Sequence, residues 1–136
     1  MARVLIPFWA LDSGKRAVRK LLLEPRNPRL SVELLAIVDP LTSGKVAVFV
    51  SPDEAEAQAR AAASRWLEEL QPMLDGARIA YRSSIAVGPV RETLRRAGAR
   101  ADIDRVLLGT RERDLLRPWR RRFVAHLMDR PVVSIS

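Results

Sequence analysis

The feature that most constrains this chain is an end-to-end alternation of short apolar runs with segments of helical period. Val4–Trp9 is continuously apolar, as expected of a central parallel strand buried on both faces. After it, Ala17, Val18, Leu21 and Leu22 recur at helical spacing while Lys15, Arg16, Arg19 and Lys20 fall on the other side, which predicts an amphipathic helix from Gly14 to Glu24. Ser13 is its expected cap, and Pro25 and Pro28 stop it. A second strand, Ser31–Val38, closes on Asp39-Pro40. Thr42–Lys45 then reads as a turn, and Val46–Val50 fits either a further strand or an extended loop.

Ser51-Pro-Asp-Glu54 is a strong helix start, because Ser51 can accept from the Glu54 amide and Pro52 sits where its missing N–H costs nothing. The predicted stripe is Ala55, Ala59, Ala62, Trp66 and Leu70, and the helix is expected to run to Leu74 and end at Gly76. Arg78–Val87 is a third strand. Gly88-Pro89 opens a helix with Val90, Leu94 and Ala97 on one face, and Ile103–Leu108 is a fourth strand. Trp119, Phe123 and Leu127 recur along a last helix, which Pro131 ends before a closing strand, Val132–Ile135. Strands alternating with helices predict one α/β domain over residues 1–136, a parallel sheet joined by right-handed crossovers.

Composition agrees with this frame. A chain of 136 residues supports one core and buries about two thirds of its unfolded surface. With 48% hydrophobic but only 5% aromatic residues, the interior is aliphatic. No cysteine and a single histidine, His126, exclude disulfides, thiolate chemistry and a histidine metal site. No apolar run reaches membrane-spanning length, and the N-terminal apolar stretch is too short for a signal peptide, so a soluble, unprocessed, cytoplasmic protein is expected. The excess of 24 Lys+Arg over 16 Asp+Glu, net +8, favours polyanions electrostatically, but arginines spread over solvated helix surfaces are the expected source rather than an anion-binding face.

Val-Leu-Ile-Pro near the start, Val87-Gly-Pro-Val90, Asp104 ahead of Val-Leu-Leu-Gly109 and the closing Pro-Val-Val resemble, in order and spacing, the universal stress protein (UspA-like) family. The resemblance covers nearly the whole chain. It implies a five-stranded parallel sheet of order 3-2-1-4-5 with helices on both faces, of the adenine nucleotide alpha hydrolase-like type. It also implies a homodimer through the last strand, Val132, Val133, Ser134 and Ile135, whose pairing groups an edge would otherwise leave open.

In that strand order the ligand crevice lies beyond the carboxyl ends of the first and fourth strands, where Trp9 and Ala10 face Gly109, Thr110 and Arg111. Nucleotide-binding relatives carry an Asp at the end of the first strand, a position that an ungapped match gives to Trp9. They follow the fourth strand with Gly-x-x-Gly-x9-Gly-Ser/Thr, whose glycines let main-chain amides approach phosphates. Here Gly109 matches the first glycine, Glu112 stands at the second, and Arg122-Phe123 occupy the final pair. A carboxylate there repels phosphate. The expected cofactor set is therefore none, with ATP or AMP as the alternative, held by Arg120, Arg121 and Arg122 in place of glycines.

Other chemistries fit less well. A receiver domain needs an Asp after the third strand, where this chain has Ala86-Val-Gly88. Hydrolase chemistry needs a nucleophile beside a base, and no Gly-x-Ser-x-Gly elbow exists. Glu54, Glu56, Glu68 and Glu69 belong to a solvated face, so no enzyme activity is expected. Nucleic-acid or anionic-partner binding is the rival class, resting on charge and on Trp119 among arginines. The register of Trp119 with Phe123 and Leu127 assigns that indole to the core instead. The expected function is a regulatory or protective binding protein without the nucleotide motif.

Overall fold

A computed structural model describes residues 2–25, 27–39, 51–109 and 132–135, the last segment by its backbone. The described elements are β1 (Ala2–Phe8), α1 (Leu11–Leu23), β2 (Leu30–Val38), α2 (Pro52–Gly76), β3 (Ala80–Val87), α3 (Val90–Gly98), β4 (Arg105–Gly109) and β5 (Val132–Ile135). Val46–Val50 and the expected last helix with Trp119, Phe123, Leu127 and His126 lie outside the described residues.

All strand pairs are parallel, and the order is β3-β2-β1-β4-β5. β1 runs level with β2 from Ala2↔Leu30 to Phe8↔Ala36, and β5 joins the far side of β4 from Val106↔Val132 to Gly109↔Ile135. Alternation of side chains along each strand divides the interior into two layers. Val4, Ile6 and Phe8 meet Ala17, Val18 and Leu21 of α1 and Ala59, Ala63, Leu67, Leu70 and Leu74 of α2. Leu5, Leu35 and Ile37 meet Leu94 and Ala97 of α3, with Ile103, Val106 and Leu108. The crossovers from β1 through β3 travel one way across the sheet and the crossover to β4 returns, so α3 lies on the face opposite α1 and α2.

Three local expectations are corrected. Ser13 does not cap α1. The helix begins at Leu11 with Ala10 as N-cap (φ −152°, ψ 141°), no side chain caps it, and the buried Ser13 Oγ donates to the Ala10 carbonyl at 2.9 Å. The stripe on α2 is Ala59, Ala63, Leu67, Leu70 and Leu74. Ala62 and Trp66 are half-buried on its flank, where Trp66 meets Phe8 with ring centroids 6.1 Å apart.

The third correction concerns the end of α2. Gly76 is its last helical residue, and the left-handed position falls instead on Arg78, φ 58°. Arg78 N–H donates to the Asp75 carbonyl and Ile79 N–H to the Leu74 carbonyl, each at 3.0 Å, which is a Schellman arrangement with arginine where glycine is usual. At the helix start, the Ser51 hydroxyl accepts the Glu54 amide at 3.2 Å, as the sequence predicts.

Candidate functional site

Strand order reverses between β1 and β4, and there the ends of the two neighbouring crossovers diverge and leave a crevice beyond the strand carboxyl ends. The register Val4↔Arg105 and Leu5↔Val106, carried forward residue for residue, sets Phe8 level with Gly109. Trp9 is thus the first residue past the sheet at the reversal, and Ala10 follows as the exposed cap of α1. Gly109 is buried and pairs with Ile135. The structure brings Trp9, Ala10 and Gly109 to one end of adjacent strands. Thr110, Arg111, Arg120, Arg121 and Arg122 lie outside the described residues.

Trp9 is half-buried and packs against the cluster of Leu5, Leu35, Leu94 and Leu108, beside Ala86 and Val90. Its indole therefore packs on the α3 face of the sheet, next to the strand reversal. Val90 reaches that face because Gly88, φ +147°, turns the chain from β3 into α3 while its N–H bonds the Val38 carbonyl at 2.9 Å. Thr93 then closes the first turn of α3 by donating its hydroxyl to the Pro89 carbonyl at 2.8 Å.

Gly14 sets how closely α1 approaches the end of β1. A Cβ at this position would stand 2.9 Å from Phe8 Cδ2 and 3.1 Å from Leu70 Cδ1, both on buried side chains. Sequence reasoning passed over Gly14 as an ordinary helical position. Its signal is a glycine in the first helical turn directly after an aromatic strand end, a place where helix propensity alone disfavours it.

The perturbed titrations lie elsewhere, at Tyr81 of β3, raised by burial and by its bond to Asp75, and at the link from α3 into β4. Arg100 donates to Asp102 at 2.7 Å and pairs with Glu33 of β2, while Arg3 reaches Asp102 at 2.7 Å. Hydrogen bonds from Arg100 and then Arg3 hold the Asp102 carboxyl at about 2, below its ordinary 3.8. The same bond from Asp102, with the charge of Glu33, raises the Arg100 guanidinium. Asp104 ties the chain again to β1, accepting the Arg3 amide at 2.7 Å while its own N–H meets the Arg3 carbonyl at 2.9 Å. This network fastens the α3–β4 link to the sheet. Among the described residues no group of His, Cys, Asp and Glu is placed to hold a metal ion, and no helix is long and apolar enough to cross a membrane.

A parallel sheet of order β3-β2-β1-β4-β5 with helices on both faces defines a doubly wound α/β domain, and the family follows from comparison. The model of the universal stress protein family matches residues 1–125, so the chain belongs to that family. Three solved structures share the fold. Hypothetical protein MJ0577 superposes with a TM-score of 0.74 at 15% identity, covering 98% of this chain and 94% of that one. UspA from Lactobacillus plantarum gives 0.67 at 16%, covering 99% and 97%. A universal stress protein family protein from Arabidopsis thaliana, with AMP bound, gives 0.65 at 17%, covering 99% and 91%. No curated protein matches the chain.

Proposed function

We propose that this chain is a non-enzymatic regulatory or protective binding protein of the universal stress type that lacks the glycine motif for ATP. It acts as a cytoplasmic homodimer. The observation that carries this reading is the half-buried Trp9, packed against the buried cluster that includes Leu5, Leu35 and Leu94, directly after β1 at the strand reversal. An anchored apolar side chain there offers an adenine no carboxylate to address. Glu112 and Arg122-Phe123 along the following segment remove the glycines that would let amides close on phosphates.

The AMP-bound Arabidopsis relative favours a second reading. In it, ATP or AMP binds in this crevice with Arg120, Arg121 and Arg122 holding the phosphates. Acid release of small molecules from the freshly purified protein separates the two. Absorbance near the adenine maximum at well below one equivalent per chain supports the first reading, and stoichiometric adenine supports the second.

The dimer reading rests on β5, which lies at a margin of the sheet among the described strands, where unpaired N–H and C=O groups favour a second chain. Val133→Lys should convert the species to a monomer on a sizing column with light scattering. An unchanged mass would remove this strand from the interface.

A further inference from the structure

The end of the sheet opposite the crevice opens into a groove of about 740 Å³, between the α1–β2 connection, the turn after α2 and the start of β4. That volume falls within the range of small-molecule sites. Leu21, Leu22, Leu30 and Ile79 form an aliphatic floor, and Arg78 and Arg105 line it with charge. Leu22 and its neighbour Leu23 are the large apolar side chains left exposed among the described residues, at 36% and 81%. A pocket whose lining includes the exposed Leu22 indicates an occupant with an apolar part.

The charges select its head. Glu24, which also lines the groove, is neutralised by Arg105 Nη2 at 2.7 Å, and the Asp104 carboxylate is engaged by the Arg3 amide at 2.7 Å. Arg78 is exposed and pairs with no acid among the described residues. Arg78 also occupies the left-handed position that glycine fills without strain. Its cation stands at the C-terminal end of α2, whose last turn holds no basic residue, so it also complements the helix dipole.

We propose that this groove binds a single-chain amphiphilic carboxylate, its alkyl chain along Leu21, Leu22, Leu30 and Ile79 and its carboxylate on Arg78. The groove is walled by chain on several sides, so it takes one extended alkyl chain rather than the surface of a bilayer. The proposal is independent of what the crevice holds.

Decanoate, titrated below its micelle concentration into the full chain and followed by calorimetry and amide shifts, provides the test. One saturable site, with shifts centred on Leu30 and Ile79, is expected. Arg78→Gly relieves the backbone, so it should fold at least as stably as the parent while binding about threefold to fivefold more weakly, the worth of one exposed ion pair. Leu22→Glu should weaken binding about tenfold or more by removing apolar contact and adding a like charge. Decanol should bind less tightly than decanoate. The proposal is overturned by absence of a saturable site, by undiminished binding in Arg78→Gly, by equal affinity for decanol, or by association only with vesicles of anionic phospholipid. Should Leu22→Glu fail to fold, Arg78→Gly and the amide shifts decide alone.

Discussion

Replacing Gly14 by alanine tests the packing that holds α1 against the end of β1. The new methyl would sit 2.9 Å from Phe8 Cδ2 and 3.1 Å from both Phe8 Cγ and Leu70 Cδ1. Phe8 and Leu70 are themselves fully enclosed, so neither can swing away without disturbing the core between sheet and α2. Overpacking of this kind costs roughly 1–3 kcal/mol. Alanine's better helix propensity returns less than about 1 kcal/mol in a first turn. The net expectation is destabilisation by about 1–2 kcal/mol, a fall in Tm of about 4–8 °C for a domain of this size. Gly76→Ala is the matched control, because a Cβ there meets nothing within 4 Å. It should leave stability unchanged or raise it by a few tenths of a kcal/mol, about the propensity gain at a helix end. Urea unfolding of the parent and both variants measures the difference. If Gly14→Ala gains stability as Gly76→Ala does, the close approach of α1 to Phe8 is refuted.

Asp102 carries a pH prediction. Its folded pKa of about 2 lies below the ordinary 3.8, so the unfolded chain takes up the proton first and the contribution to stability is present above that ordinary value and lost as pH falls toward 2. Asp102→Asn should be less stable than the parent near neutrality, with the gap narrowing from about pH 4 downward; a gap constant across that range would contradict the ion network. Pro72 lies inside α2, where it removes a helical N–H. Pro72→Ala should therefore raise the urea midpoint, by up to about 2 kcal/mol in stability once the freer unfolded chain is counted. A lower midpoint would mean that the helix depends on the proline.

Much of the architecture was legible because its signals are local and periodic. The continuous apolar run at the first strand, the Ser51-Pro52 helix start and the shared face of Leu94 and Ala97 each reappear in the structure. The arrangement β3-β2-β1-β4 came from resemblance rather than from period, since no pattern in one strand says which neighbour it pairs with. What escaped was decided by contacts between distant segments. A hydroxyl before a helical pattern usually caps it, but this helix starts earlier and buries Ser13. Ala62 and Trp66 satisfied the helical spacing as well as Ala63 and Leu67 did, and only the shape of the sheet beneath chose between them. Arg78 carried no signal at all, because a left-handed arginine follows from the geometry of a helix end and not from composition. The sequence marked Trp9 as a departure from nucleotide-binding relatives, while the buried cluster it packs against draws on Leu94 and Leu108 from distant parts of the chain.

The central claim is that the indole of Trp9 and the missing glycines leave the crevice without a nucleotide site. Calorimetric titration of Mg-ATP into chain freed of small molecules tests it most directly. The account predicts no saturable heat at millimolar nucleotide. One equivalent bound with micromolar affinity, worth about 8 kcal/mol, would contradict it.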